Sequence, residues 1–224
     1  MRIVLGLGRS VLLGRRAPAD WDVQQRHVLA AADAIADISR AVECKVAASY
    51  GCPDRDGFVS RTLHQALADA LPGRRICVLR TQAEIDDLDA MRAMLAIDTV
   101  VICANPAARD DDLGAALLAI ALRADRLVML TDVAGVFADW PAQRRMIRAA
   151  SPDILSPERF APGTMRPKIE AACCFAARTG GAATIGALAD TQGLLAGTSG
   201  TTIAAGAGRM MLYSAPTAAS RACA

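Results

Sequence analysis

The chain has 224 residues, 53% apolar and 4% aromatic, and its 25 basic and 23 acidic side chains leave a net charge of +2. That length suits one α/β domain or little more, and that hydrophobicity excludes a disordered chain. So even a charge balance carries no electrostatic footprint for nucleic acid or for a membrane surface as partner.

Arg2–Leu7 is a short apolar run ended by Gly8 and predicts a buried strand. Apolar residues at 28, 31, 35, 38 and 42 recur at helical spacing, which predicts a helix over 22–42. A strand is expected at 45–49, a loop punctuated by Pro53 and Gly57 at 50–57, and a helix at 58–71 stopped by Pro72-Gly73. Residues 75–79 read as a third strand. Thr81-Gln-Ala-Glu84 is a capping-box sequence and predicts one helix running to about Leu95. A strand at 99–103, a loop at 104–109, an amphipathic helix at 110–123 and a strand at 127–131 follow. Residues 141–149 read as a short basic helix. Thr164 is placed as the cap of a helix to Thr179, closed by Gly180-Gly181. The remainder predicts strands at 183–185 and 201–203, a helix at 187–195, an edge strand at 210–213 and a frayed end.

Strands alternating with helices imply a mostly parallel sheet covered on both faces. The composition agrees: 48 alanines supply small core pieces that let helices approach a sheet closely. The seven cysteines are odd in number and lack a CxxC pair, so they read as reduced thiols rather than a disulfide framework. With only His27 and His64, a zinc site has no ligand spacing to rest on. Arg9 interrupts the apolar start, and the longest uncharged apolar run, 113–122, is too short to span a bilayer. The expectation is a soluble cytoplasmic protein.

In such sheets ligands bind beyond the carboxyl ends of the strands. Two loops there carry chemistry. In Ala161-Pro-Gly-Thr-Met-Arg-Pro-Lys168, Gly163 permits close backbone approach and Thr164 opens a helix whose first N–H groups face outward. Lys168, one of two lysines among 25 basic residues, sits in that first turn, where the helix dipole opposes a cation. Either a phosphate partner accounts for it, or this is an ordinary capped surface helix. In Thr131-Asp-Val-Ala-Gly135, Asp132 would accept hydrogen bonds from a ribose or adenine and Gly135 would leave room for a ring; a plain strand-to-turn connection reads equally well. Asp110–Asp112 would suit a hard cation or a solvated helix start, and no metal site is assigned.

On these residues the chain resembles the carbamate kinases of the amino-acid kinase family. FAPGTMRPKIEAA (160–172) follows the pattern FAxGSMxPKxEAA with Thr for Ser, and LTDVAGVFADW (130–140) is similar to LTDVDGVY. TGGAATIGAL and GTSGTTI also follow the family, while GLGRSVLL (6–13) and SYGCPDRDG (49–57) resemble ALGGNALL and SHGNGPQVG more loosely. A long middle segment with the projecting substrate lid has no counterpart between Arg80 and Asp98.

The resemblance implies a three-layer α/β/α sandwich of the amino-acid kinase type over 1–206, with 1–100 as the acceptor-side half, 101–206 as the nucleotide-side half and 207–224 as a tail. It implies ATP or ADP with Mg²⁺, a small carbamate-like or carboxylate acceptor, carbamoyl-phosphate-type phosphoryl transfer, and a homodimer formed through the N-terminal half. Lys168 would stabilise the transferred phosphate, Arg9 would hold it and Asp112 would organise the cationic groups. Gly8, Ser10, Gly51, Asp132, Gly135, Gly163, Thr164 and Met165 would hold the nucleotide. Departures are equally specific. Arg9 stands where the family has a second glycine, Pro53 removes a backbone donor, Asn105 lies in a stretch that has lost a glycine-rich turn, and Asp111 replaces a lysine. These changes imply impaired or altered activity, and they keep open a non-catalytic kinase-like subunit that acts in binding or assembly.

Overall fold

Strand β1 (Arg2–Leu7) is buried on both faces and pairs in parallel with β2 (Lys45–Tyr50) on one side and β5 (Arg126–Thr131) on the other. The structure is a computed structural model and describes residues 1–14, 21–41, 45–50, 57–104, 111–140, 142–160 and 165–214. Among these, β3 (Arg75–Leu79), β4 (Thr99–Ala104), β6 (Ile147–Ala150), β7 (Ala182–Ala187), β8 (Thr201–Ile203) and β9 (Met211–Leu212) extend the sheet in the order β3-β4-β2-β1-β5-β7-β8-β6-β9. All pairings are parallel except β7–β8 and β6–β9.

Successive side chains of each strand point to opposite faces, and each face has its own helices. Ile3, Leu5, Leu7, Val46 and Ala48 meet α1 (Arg9–Leu13), α2 (Trp21–Ala41), α3 (Phe58–Ala70) and Leu194 of α8 (Thr191–Ala196). Val4, Ala47, Val101, Leu127 and Met129 meet α5 (Leu88–Ala96), α6 (Asp111–Ala121) and α7 (Met165–Thr179). The result is a three-layer α/β/α sandwich with a mostly parallel sheet. Small residues set the spacing between layers: a Cβ on Gly6 of β1 would stand 3.1 Å from Ala115 Cβ of α6.

Chain order locates the ligand crevice. From β1 the chain passes through α1 and α2 to β2; from β4 it passes through α6 to β5, on the other side of β1. The direction of winding therefore reverses between β1 and β5, and the carboxyl ends of these two strands form the switch point.

Two local expectations are corrected. The helix expected from Thr81 to Leu95 is two helices, α4 (Gln82–Asp86) and α5, because Asp87 leaves helical geometry and caps the second by accepting from the Ala90 N–H at 3.0 Å. The capping box itself forms as expected, with Thr81 and Glu84 satisfying each other's backbone. No helix forms among the described residues of 141–149. Asp139 accepts from the Arg144 and Arg145 N–H groups, Ala138 N–H donates to Arg145 O, and Phe137 bridges Met146, which folds a hairpin and delivers Ile147–Ala150 into the sheet. Pairing with β8 and β9 outweighs the helical leaning of an Arg- and Ala-rich stretch. Likewise, 188–190 is a 3-10 turn before α8, and β9, not β8, closes the sheet.

Thr201, fully buried, holds this hairpin to the sheet. Its hydroxyl accepts from the Val136 N–H at 2.9 Å and donates to Ile147 O at 2.6 Å. Thr201→Val leaves both backbone groups buried and unpaired, so chemical denaturation will show a loss of about 1–3 kcal/mol.

Candidate functional site

At the end of β1 the chain turns on Gly8, which is buried and donates its N–H to Leu130 O of β5 at 3.3 Å. That contact joins the two strand ends of the switch point. Gly8 has ordinary extended backbone angles (φ −62°, ψ 151°), so glycine is needed here for space and not for conformation. A Cβ at Gly8 would stand 2.9 Å from Lys168 Nζ and 3.2 Å from Leu130 O. The lysine amine therefore lies directly over the Gly8 backbone.

Lys168 reaches that position from the first turn of α7. Its Nζ donates to Asp112 Oδ1 at 2.8 Å and Oδ2 at 2.9 Å. Lys168 is 5% exposed and Asp112 9%. Asp112 lies in the first turn of α6, which packs beside α7, so two helix N-termini converge on the carboxyl ends of β1 and β5. The carboxylate is favoured at its helix start by the dipole, and it offsets the unfavourable placement of the lysine at the neighbouring one. What results is a buried cation, held by a carboxylate, over a backbone with no side chain in the way.

The other expected residues divide by position. Arg9 follows Gly8 as the first residue of α1; its side chain is exposed and forms no ion pair among the described residues. Ser10 is half-buried, and its carbonyl accepts from the Gly14 N–H. Asp132 sits just past β5, exposed, with Thr131 Oγ1 donating to its Oδ1 at 3.2 Å. Arg9 and Asp132 thus stand at the same edge as Lys168. Met165 is half-buried and packs on the α5–α6–α7 core rather than facing outward. Gly135 does not leave room for a ring: a Cβ there would meet Thr201 Oγ1 at 2.9 Å and Met146 Sδ at 3.2 Å, so its smallness serves the packing of the hairpin. Gly51, Cys52, Pro53, Asn105, Gly163 and Thr164 lie outside the described residues.

Among the described residues there is no group of three or more His, Cys, Asp or Glu able to hold a metal ion, and no helix is long and apolar enough to cross a membrane. Nor do the described thiols form a nucleophilic centre. Cys77, Cys103, Cys173 and Cys174 are free. Burial, and then the neighbouring Cys77, pushes Cys103 up to about 12. Burial, followed by Asp153 and Cys174, pushes Cys173 up to about 11. Both are therefore neutral thiols well above pH 8, and in the folded protein at pH 8 they will resist iodoacetamide, reacting only after denaturation, as peptide mass mapping will show.

Sequence reasoning identified Lys168, Gly8 and Asp112, which the fold brings together. It missed the Leu130 carbonyl and the Thr201 hydroxyl, for which a one-dimensional pattern carries no signal. Breaking the buried pair from one side will be costly. Lys168→Met strands a buried carboxylate and is expected to cost about 3–5 kcal/mol, whereas Lys168→Met with Asp112→Leu recovers most of that loss in a denaturant double-mutant cycle.

Three similarities place this geometry. Residues 56–186 match the amino acid kinase family. A carbamate kinase of Escherichia coli O6:H1 is 38% identical over 144 residues, covering 58% of this chain and 48% of that protein, so the chain spans about half the length of such relatives. A carbamate kinase of Rhizobium meliloti is 26% identical over a 303-position alignment that covers 91% of this chain and 93% of the relative. That alignment is longer than the chain, as an internal shortening requires. Among solved structures, a Giardia carbamate kinase shares the fold with a TM-score of 0.78 at 22% identity, over 91% of this chain and 98% of its own. With more than half of its length matched by that family and its fold shared, the chain belongs to the amino acid kinase family.

Proposed function

We propose that this chain is a carbamate-kinase-like phosphotransferase that binds ATP or ADP at the carboxyl ends of β1 and β5. It moves a phosphoryl group between the nucleotide and a small carbamate or carboxylate. One observation carries the reading: a buried lysine amine held over a side-chain-free backbone at the switch point of the sheet. Phosphoryl transfer asks little covalent chemistry of a protein and much positive charge and donor geometry. Lys168 supplies the charge, and Gly8 lets phosphate oxygens approach the backbone. Arg9 is the flexible second cation, and Asp112 keeps the lysine aimed. Asp132 is placed to accept from the nucleoside. The residues present fit a phosphate group, and Mg²⁺ carried by the nucleotide would neutralise its charge. A Giardia lamblia carbamate kinase with this fold has been seen bound to AMP-PNP. By the family resemblance, the N-terminal half pairs with a second copy.

A second reading has its own observation. Both carboxylate oxygens of Asp112 already hold Lys168, so the pair is complete within the protein. Together with the replaced phosphate loops, this favours a kinase-like subunit that binds or assembles without turning over.

ADP titration followed by thermal unfolding tests the pocket. A ligand of the folded state at about 100 times its Kd adds about 2.7 kcal/mol of stability. A coupled assay for ATP formation from ADP and carbamoyl phosphate tests the chemistry. Lys168→Arg preserves charge but not the shape of the donor, and is expected to lower kcat on the order of 10²-fold while the protein stays folded. Binding without turnover, indifferent to Lys168→Arg, selects the second reading, and no ADP stabilisation at all rejects both nucleotide-dependent readings.

A further inference from the structure

The outer edge of the sheet carries a second feature that the Lys168 site does not use. Between α3 and the edge strand β3 runs a groove of about 600 Å³, within the size range of small-molecule sites. It lies three strands from β1, about 14 Å at ordinary strand spacing. Its floor is the half-exposed Ile76, Cys77 and Val78 of β3, an apolar strip on a strand paired only through β4. Its walls carry Arg61 and His64 from α3 and Arg80 from the end of β3. No carboxylate lines it.

The two cationic walls are positioned by local structure. A Cβ on Gly57, the left-handed residue (φ +69°) that opens α3, would come within 3.0 Å of Arg61 Nη1, so the guanidinium lies against that glycine. Arg80 is anchored through its backbone, whose N–H donates to Glu84 Oε2 at 2.9 Å. The two nearest acids are already engaged. Glu84 accepts from the Arg80 and Thr81 N–H groups and the Thr81 hydroxyl, and those bonds hold its carboxyl below the usual range. Asp69 accepts from Gln65 Nε2 at 2.9 Å. The groove therefore offers donors and positive charge at its rim and apolar surface on its floor.

We propose that this groove binds a small organic anion, a carboxylate or phosphate carried on a short apolar body. The anionic head lies between Arg61 and Arg80, and the body lies on Ile76 and Val78. Guanidinium groups suit both heads through paired donors. The site stands apart from the nucleotide reading and does not depend on it.

The chain has only two histidines, and one of them lines the groove. Proton NMR of the two imidazole Hε1 signals in the full chain is therefore a direct readout. Titration with hexanoate and with butyl phosphate is expected to move His64 to saturation at millimolar ligand and to leave His27 in place. Whichever head moves it at lower concentration identifies the ligand's source chemistry. Arg61→Gln with Arg80→Gln, at surface positions that keep the fold, should raise the Kd by about tenfold or more. Saturating ADP should leave the response unchanged, which separates this site from the one at Lys168. An immobile His64, an equal response to hexanol, a shift that survives the double substitution, or a groove closed by a second copy of the chain would each overturn the proposal.

Discussion

A single buried ion pair organises the centre of this molecule. Lys168 and Asp112 come from the first turns of two helices that lie side by side on one face of the sheet, and both helices direct their positive ends at the same strand edge. Left alone, that arrangement would concentrate positive potential, and the lysine would worsen it. The carboxylate resolves the conflict and fixes the amine in one place. The pair then depends on β1 ending in a residue without a side chain, because the space above Gly8 is the space the amine occupies. Charge, helix orientation and glycine are one constraint seen from three elements.

The surrounding architecture keeps that constraint rigid through small residues. Ala115 of α6 sits against Gly6 of β1, so the helix bearing Asp112 rests directly on the strand that ends at Gly8. Ala171, Ala172 and Ala176 do the same for α7 within the core. An alanine-rich, aromatic-poor interior brings the layers close, and close layers leave few ways to shift a helix without clashes. On the other side of β5, the hairpin closed by Asp139 and tied down by Thr201 supports the loop that follows the strand. The rigid half of the site is thus the Lys168 side, while Arg9 and Asp132 extend from it into solvent.

Much of this was legible in one dimension. Strand and helix positions through β1 to β5 follow from apolar runs and helical spacing, because those patterns report burial on one or two faces. The motif around Lys168 was legible for the same kind of reason, since a lysine in the first turn of a helix is electrostatically out of place. Where local preference and non-local pairing disagreed, the pattern misled. An Arg- and Ala-rich stretch after Trp140 leans toward helix, yet its backbone donors are captured by Asp139 and by strands distant in sequence. A capping box announced one helix, but a second cap at Asp87 divided it.

What the chain's order of residues determined by itself was the class of fold, the strand edge where a ligand belongs, and the family whose motifs it shares. Only the tertiary structure decided that Lys168 is held by a carboxylate 56 residues away, that Gly8 is small to admit an amine, and that Gly135 is small to admit a threonine. The reason is physical. Periodicity and capping act over a few residues and leave their signature in the sequence, whereas charge compensation and close packing act between groups that only folding brings within a few ångströms.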